Sequence, residues 1–174
     1  MQDLARRGSA DSSPDFSRFL PPPPLFVLQP LLNFVVKRIA AKHPALFDRL
    51  GAHRSTRFVI DPRGLPFALL LVPDPEALVL WAVSRGREPE SDARIAGRFL
   101  DLLGLVDGAA DGDALFFSRD LEISGDTEAV VCLRNALDDV EHSIAEDVAG
   151  LFGAPGRLAL DMLRRARGDN GGRP

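Results

Sequence analysis

Asp113-Ala114-Leu115-Phe116-Phe117-Ser118-Arg119-Asp120-Leu121-Glu122-Ile123-Ser124-Gly125-Asp126-Thr127-Glu128 is the stretch from which the fold is read. From Arg119 to Ser124, Leu121 and Ile123 alternate with polar neighbours, the pattern of a half-buried strand. Gly125 then supplies a conformation that a side chain would penalise, and Asp126 is a natural N-cap with Glu128 well placed in the first helical turn. Beyond it, Val130, Leu133, Leu137, Val140 and Ile144 recur at steps of three, four, three and four, which predicts one continuous helix with an apolar stripe. A turn this tight makes the apolar faces of strand and helix oppose each other. Whatever lies between them is packed core or bound ligand.

Working outward, Arg57–Ile60 is β-rich, and Asp61-Pro62-Arg63-Gly64 suits a type I turn with proline second and glycine fourth. Phe67–Val72 reads as the returning strand of a hairpin, Leu78–Val83 as a third strand and Ala93–Gly97 as a fourth. Arg85–Ser91 is a polar loop, and Phe99–Leu105 a short amphipathic helix stopped by Gly104 or Gly108. The sum is an α+β domain: a mostly antiparallel sheet of about five strands covered by helices, with an apolar tunnel between sheet and helix.

Residues 1–24 are expected to be disordered, being rich in Ser, Asp and Arg and ending in the stiff spacer Pro21–Pro24. The domain runs over 25–167, and 168–174 is a flexible Gly-rich tail. Leu25–Ile39 is helical and strongly apolar, with Pro30 kinking or restarting it. It is too short and too polar to span a bilayer, but with Lys37 and Arg38 following its apolar part it could dock transiently on a membrane surface or gate the cavity. A second helix, Pro44–Leu50, ends at Gly51, and a last one covers about Gly156–Arg165.

The net charge of −4 disfavours nucleic acid as a partner. The first residues lack the apolar core of a secretory signal, and a lone cysteine, Cys132, permits no internal disulfide; both fit a reducing cytoplasm.

The sequence carries no catalytic signature: no G-x-S-x-G, no P-loop, no dinucleotide fingerprint. Asp139 and His142 share a helix face, but two candidate ligands do not make a metal site. Asp107–Asp113 imitates a calcium loop, yet Ala109 and Ser118 stand where ligands belong, so it reads as a turn. Cys132 lies among apolar neighbours as an inert thiol, and Arg164, Arg165 and Arg167 read as a charged helix terminus. No enzyme activity, metal or cofactor is expected.

The quoted stretch, continued through Arg134-Asn135-Ala136-Leu137-Asp138, resembles the C-terminal signature of the sterol carrier protein type-2 lipid-binding domain. More narrowly, its Leu-Phe-Phe, Gly-Asp-Thr-Glu and Asn-x-Leu-Asp runs are similar to the UbiT-like accessory factors of oxygen-independent ubiquinone biosynthesis. The resemblance spans about 25–142 and is specific over 113–141. It implies a non-enzymatic carrier that holds an isoprenoid quinone precursor and presents its ring to two iron–sulfur hydroxylating proteins. Combined with the opposed strand and helix, it nominates Phe116, Phe117, Leu121, Ile123, Val130, Leu133 and Leu137 as the lipid-contacting residues, with one of the two phenylalanines facing the ligand. Competing readings are a protein-interaction scaffold with a filled core and a general lipid or fatty-acyl carrier.

Overall fold

The computed structural model of the chain describes residues 25–107, 121–140 and 143–171. The chain opens with helix α1 (Leu25–Lys42), then α2 (Ala45–Leu50) and a 3-10 turn (Gly51–Ser55). Strands β1 (Phe58–Arg63), β2 (Phe67–Val72), β3 (Val79–Ser84) and β4 (Ala93–Arg98) follow, then α3 (Phe99–Asp107), β5 (Leu121–Gly125), α4 (Thr127–Asp138), α5 (Ile144–Leu151) and α6 (Gly153–Gly171). The expected disorder of 1–24 and residues 172–174 of the expected 168–174 tail lie outside the described residues, as do Phe116 and Phe117, whereas 168–171 are helical as the end of α6.

The five strands form one sheet in the order β3-β2-β1-β4-β5. β1–β2, β2–β3 and β4–β5 pair antiparallel, while β1 and β4 run parallel, Phe58 opposite Ala93 and Ile60 opposite Ile95. The alternation of side chains along β1 sends Phe58 and Ile60 to one face and Val59 and Asp61 to the other. On the first face Phe58, Ala93, Ile95 and Leu121 pack with Leu50, Leu102, Ala129, Val130, Leu133 and Ala136, so α2, α3 and α4 cover it. On the second, Val59, Ala68 and Leu70 pack with Val79 and Val83. Asp61, buried on that face, is paired by Arg94 of the neighbouring strand and by Arg85 Nη2 at 2.6 Å.

α1 runs beside the edge strand β3. The Gln29 amide donates to the Leu80 carbonyl at 2.9 Å and accepts from the Ala82 N–H at 3.2 Å, satisfying main-chain groups that an edge strand would leave open. No residue of α1 is buried; Phe26, Val27, Leu31 and Phe34 are exposed.

Several boundaries differ from expectation. The hairpin turn is one residue later: β1 continues to Arg63, Leu65 N–H bonds to Pro62 O at 3.2 Å, and Gly64 is the third residue of the turn with φ 88°. Helix α1 is continuous from Leu25 to Lys42 with Pro30 as its sixth residue, inside the helix. α3 passes through a buried Gly104 and reaches Asp107. The continuous helix expected from Asp126 through Ile144 is two: α4 stops at Asp138, and α5 begins after Ser143, whose hydroxyl caps it by accepting from Glu146 N–H. Val140 and Ile144 therefore do not continue the stripe of α4.

Candidate ligand cavity

The cavity is positioned by the turn between β5 and α4. Gly125 has φ 81°, and a side-chain carbon built on it would lie 2.2 Å from the Asp92 carbonyl oxygen. The Asp126 N–H donates to that oxygen at 2.8 Å. The Asp126 carboxylate then caps α4 by accepting from Ala129 N–H at 2.9 Å. With direction and start fixed, Val130, Leu133 and Leu137 of α4 point at the sheet, opposite Leu121 of β5.

These four line a small apolar cavity together with Ile95, Leu105 and Arg134. Its volume is about 20 Å³, room for roughly one water molecule. Leu121, Val130 and Leu133 are buried, and Leu137 is half-buried against the same cluster. Ile123, the remaining described nominee, packs against that cluster but does not line the cavity. Phe116 and Phe117 lie outside the described residues. Ile95 and Leu105 were not nominated from sequence. Ile95 comes from β4, where it stands opposite Ile123, and Leu105 from α3, so neither neighbours the strand–turn–helix stretch in sequence. The alternation of Ala93 and Ile95 along β4 was the available signal.

The walls offer aliphatic carbon and one guanidinium. Arg134 is 15% exposed and places Nη2 3.0 Å from Asp138 one helical turn on. The thiol of Cys132 is directed away to the Arg49 carbonyl at 3.3 Å. His43 Nε2 lies 2.6 Å from Asp147, and His53 Nδ1 3.8 Å from Asp126, each beside a carboxylate outside the lining. Asp139 is paired with Arg49, and its suggested partner His142 lies outside the described residues. No group of three His, Cys, Asp or Glu placed to hold a metal occurs among the described residues.

Asp107, first of the calcium-like stretch, is engaged elsewhere; the rest of that stretch lies outside the described residues. Asp107 is buried and accepts from Arg164 Nη2 at 2.6 Å and from the Ser143 hydroxyl at 2.8 Å, which joins α3, α5 and α6. Burial pushes its carboxyl up, but the hydrogen bonds from Arg164 and Ser143 and the Arg164 charge outweigh it and hold the group below the usual carboxylate range. Arg164 also reaches Glu146 at 2.9 Å, and its own pKa is raised by the Asp107 and Glu146 hydrogen bonds. The arginine read as a helix-end charge is a tertiary tether.

No helix among the described residues is long and apolar enough to cross a membrane. Residues 36–138 match the model of the SCP-2 sterol transfer family. No curated protein matches the chain. Among solved structures, "UbiJ-SCP2 Ubiquinone synthesis protein" is similar at 22% identity and TM-score 0.47, over 66% of this chain and 88% of that one. Sterol Carrier Protein 2 from Yarrowia lipolytica (apo form) is similar at 11% identity and TM-score 0.44, over 62% and 86%. The sterol carrier protein domain 2 of Helicoverpa armigera is similar at 17% identity and TM-score 0.42, over 77% and 98%.

Proposed function

The chain belongs to the SCP-2 sterol transfer family, and from that premise we propose that it carries an isoprenoid quinone precursor in oxygen-independent ubiquinone biosynthesis without transforming it. One observation carries the reading: Leu121, Val130, Leu133 and Leu137 converge on a cavity whose described lining is six aliphatic side chains and Arg134. Such walls suit a polyprenyl tail, since each methylene removed from water gains about 0.8 kcal/mol with no polar contact needed. The quinone assignment is supported by the Leu115-Phe116-Phe117, Gly125-Asp126-Thr127-Glu128 and Asn135-Ala136-Leu137-Asp138 runs and their likeness to the accessory factors of that pathway. The hydroxylations then fall to iron–sulfur partner proteins, to which this chain presents the ring.

Space for roughly one water molecule does not admit a five-carbon isoprenoid unit. Loading therefore widens the gap between α4 and the sheet, and the ligand selects that wider state. Collection from a bilayer falls to α1. Its exposed Phe26, Val27, Leu31 and Phe34 form an apolar stripe, and Lys37 and Arg38, exposed on the same helix, complement an anionic lipid surface.

The test is direct. The protein is purified from cells grown without oxygen, extracted with organic solvent, and its lipids identified by mass spectrometry. A polyprenylated phenol or benzoate is expected. Fatty acids alone would make it a general acyl carrier, and an empty extract would favour a scaffold with a filled core.

A further inference from the structure

We infer that α6 is a second lipid-docking helix, which lays Leu158 and Met162 on an anionic membrane surface with Arg157 and Arg165 at the headgroups. The inference deepens the bilayer contact proposed for α1 and rests on that reading. α6 lies beyond residues 36–138, the part of the chain that matches the family, so the shared domain does not account for its surface. The fold holds this helix by one side. Gly153 turns the chain at φ 65°, and a side-chain carbon on Gly156 would lie 2.2 Å from the Ala149 carbonyl oxygen, so α6 starts tight against the end of α5. Leu160 is buried with Ala145 and Ala149, and Arg164 reaches Asp107 and Glu146.

The other side carries apolar groups into water. Leu158 is 57% and Met162 58% exposed, and Phe152, at the corner before the helix, is 42% exposed. Leu158, Met162 and Arg165 fall at i, i+4 and i+7, one face of the helix, with Ala154, Pro155 and Ala159 exposed around them. A single exposed leucine is ordinary, but a stacked apolar pair flanked by cations is the pattern of a helix lying in a lipid interface. Charge selects the kind of surface. Gly153 to Arg167 holds four arginines and one aspartate, in a chain whose net charge is −4. Arg164 is engaged inside the fold, whereas Arg157 and Arg165 are exposed beside the apolar pair, as is Asp161. An anionic membrane is charged at its surface and apolar beneath, so it takes both kinds of side chain at once: the arginine stems lie along the apolar layer while their guanidinium groups stay among the headgroups.

The test is flotation of the full chain on vesicles of phosphatidylglycerol with phosphatidylcholine, and on phosphatidylcholine alone. It compares the unmodified protein with Leu158→Gln plus Met162→Gln, with Arg157→Gln plus Arg165→Gln, and with Phe26→Asp plus Phe34→Asp. The exposed positions let each variant keep its melting temperature, and either α6 pair suffices if the other does not fold. Replacing Leu158 and Met162 should weaken binding to the anionic vesicles about tenfold. Replacing Arg157 and Arg165 should weaken it by about tenfold or more and leave the low binding to phosphatidylcholine unchanged. Unchanged flotation of either folded α6 variant overturns the docking of α6, and it is the result expected if an acidic protein occupied this face instead. The Phe26 and Phe34 variant reports on α1 separately. Titration of the unmodified chain with 3-geranyl-4-hydroxybenzoate, without vesicles, tests the carrier reading by itself: failure to bind removes that reading whatever the flotation shows.

Discussion

The Asp126 N–H donates to the Asp92 carbonyl at 2.8 Å, and this bond fixes how α4 leaves the sheet. It brings the main chain at Gly125 so close to Asp92 that a Cβ has no room. Gly125→Ala combines that overlap with a left-handed φ and should cost about 3 kcal/mol. Asp126→Ala removes only the cap and should cost about 1 kcal/mol. Urea denaturation of both variants checks the order; equal costs would mean that the approach to Asp92 is looser than described.

Asp107 and Arg164 couple three helices through one buried carboxylate, and this sets an acid limit. The Asp107 carboxyl is held below its ordinary value, and so is Asp147, where burial raises the pKa but Lys42 and His43 outweigh it. A depressed carboxylate stabilises the fold above its unfolded pKa and loses that contribution as pH falls through the folded one. Stability should be level above about pH 5 and decline below about pH 4. Asp107→Asn should lose roughly 2 kcal/mol at pH 7, less than a fully buried pair because Arg164 keeps 30% exposure. Melting curves from pH 3 to 7 should show the deficit shrinking in acid. A deficit constant with pH would mean that the carboxylate's charge does not stabilise the fold.

α1 gives a test of membrane contact that spares the core, because Phe26 is 76% and Phe34 44% exposed. Phe26→Asp with Phe34→Asp should leave the melting temperature unchanged. It should weaken flotation on phosphatidylglycerol vesicles about tenfold or more, since two apolar rings no longer enter the lipid. Flotation identical to the unmodified protein would remove α1 from the proposal.

How far the sequence reached follows from which contacts are local. β5, its glycine turn and α4 were legible because Leu121, Gly125, Asp126 and Leu133 act through neighbours in the chain. The same locality brought Leu121, Val130, Leu133 and Leu137 to one cavity. Periodicity carried the helix too far, through Val140 and Ile144, because a stripe does not register the break that Ser143 caps. The hairpin turn slipped by one residue because Asp61, placed in the turn by propensity, is held in β1 by Arg85 and Arg94. Leu105 and the Asp107–Arg164 pair depend on contacts between distant elements, the last 57 residues apart, and no local pattern encodes them; for Ile95 the alternation along β4 gives its face but not the cavity it meets.

The most direct test of the account is where an isoprenoid lands. With Leu and Val methyl groups labelled with carbon-13, the protein is titrated with 3-geranyl-4-hydroxybenzoate and followed by NMR. The account predicts shifts at Leu121, Val130, Leu133 and Leu137, and none at Val59 or Leu70 on the opposite face of the sheet. Shifts confined to Val59 and Leu70, or to α1, or no saturable shift at any methyl, would contradict it.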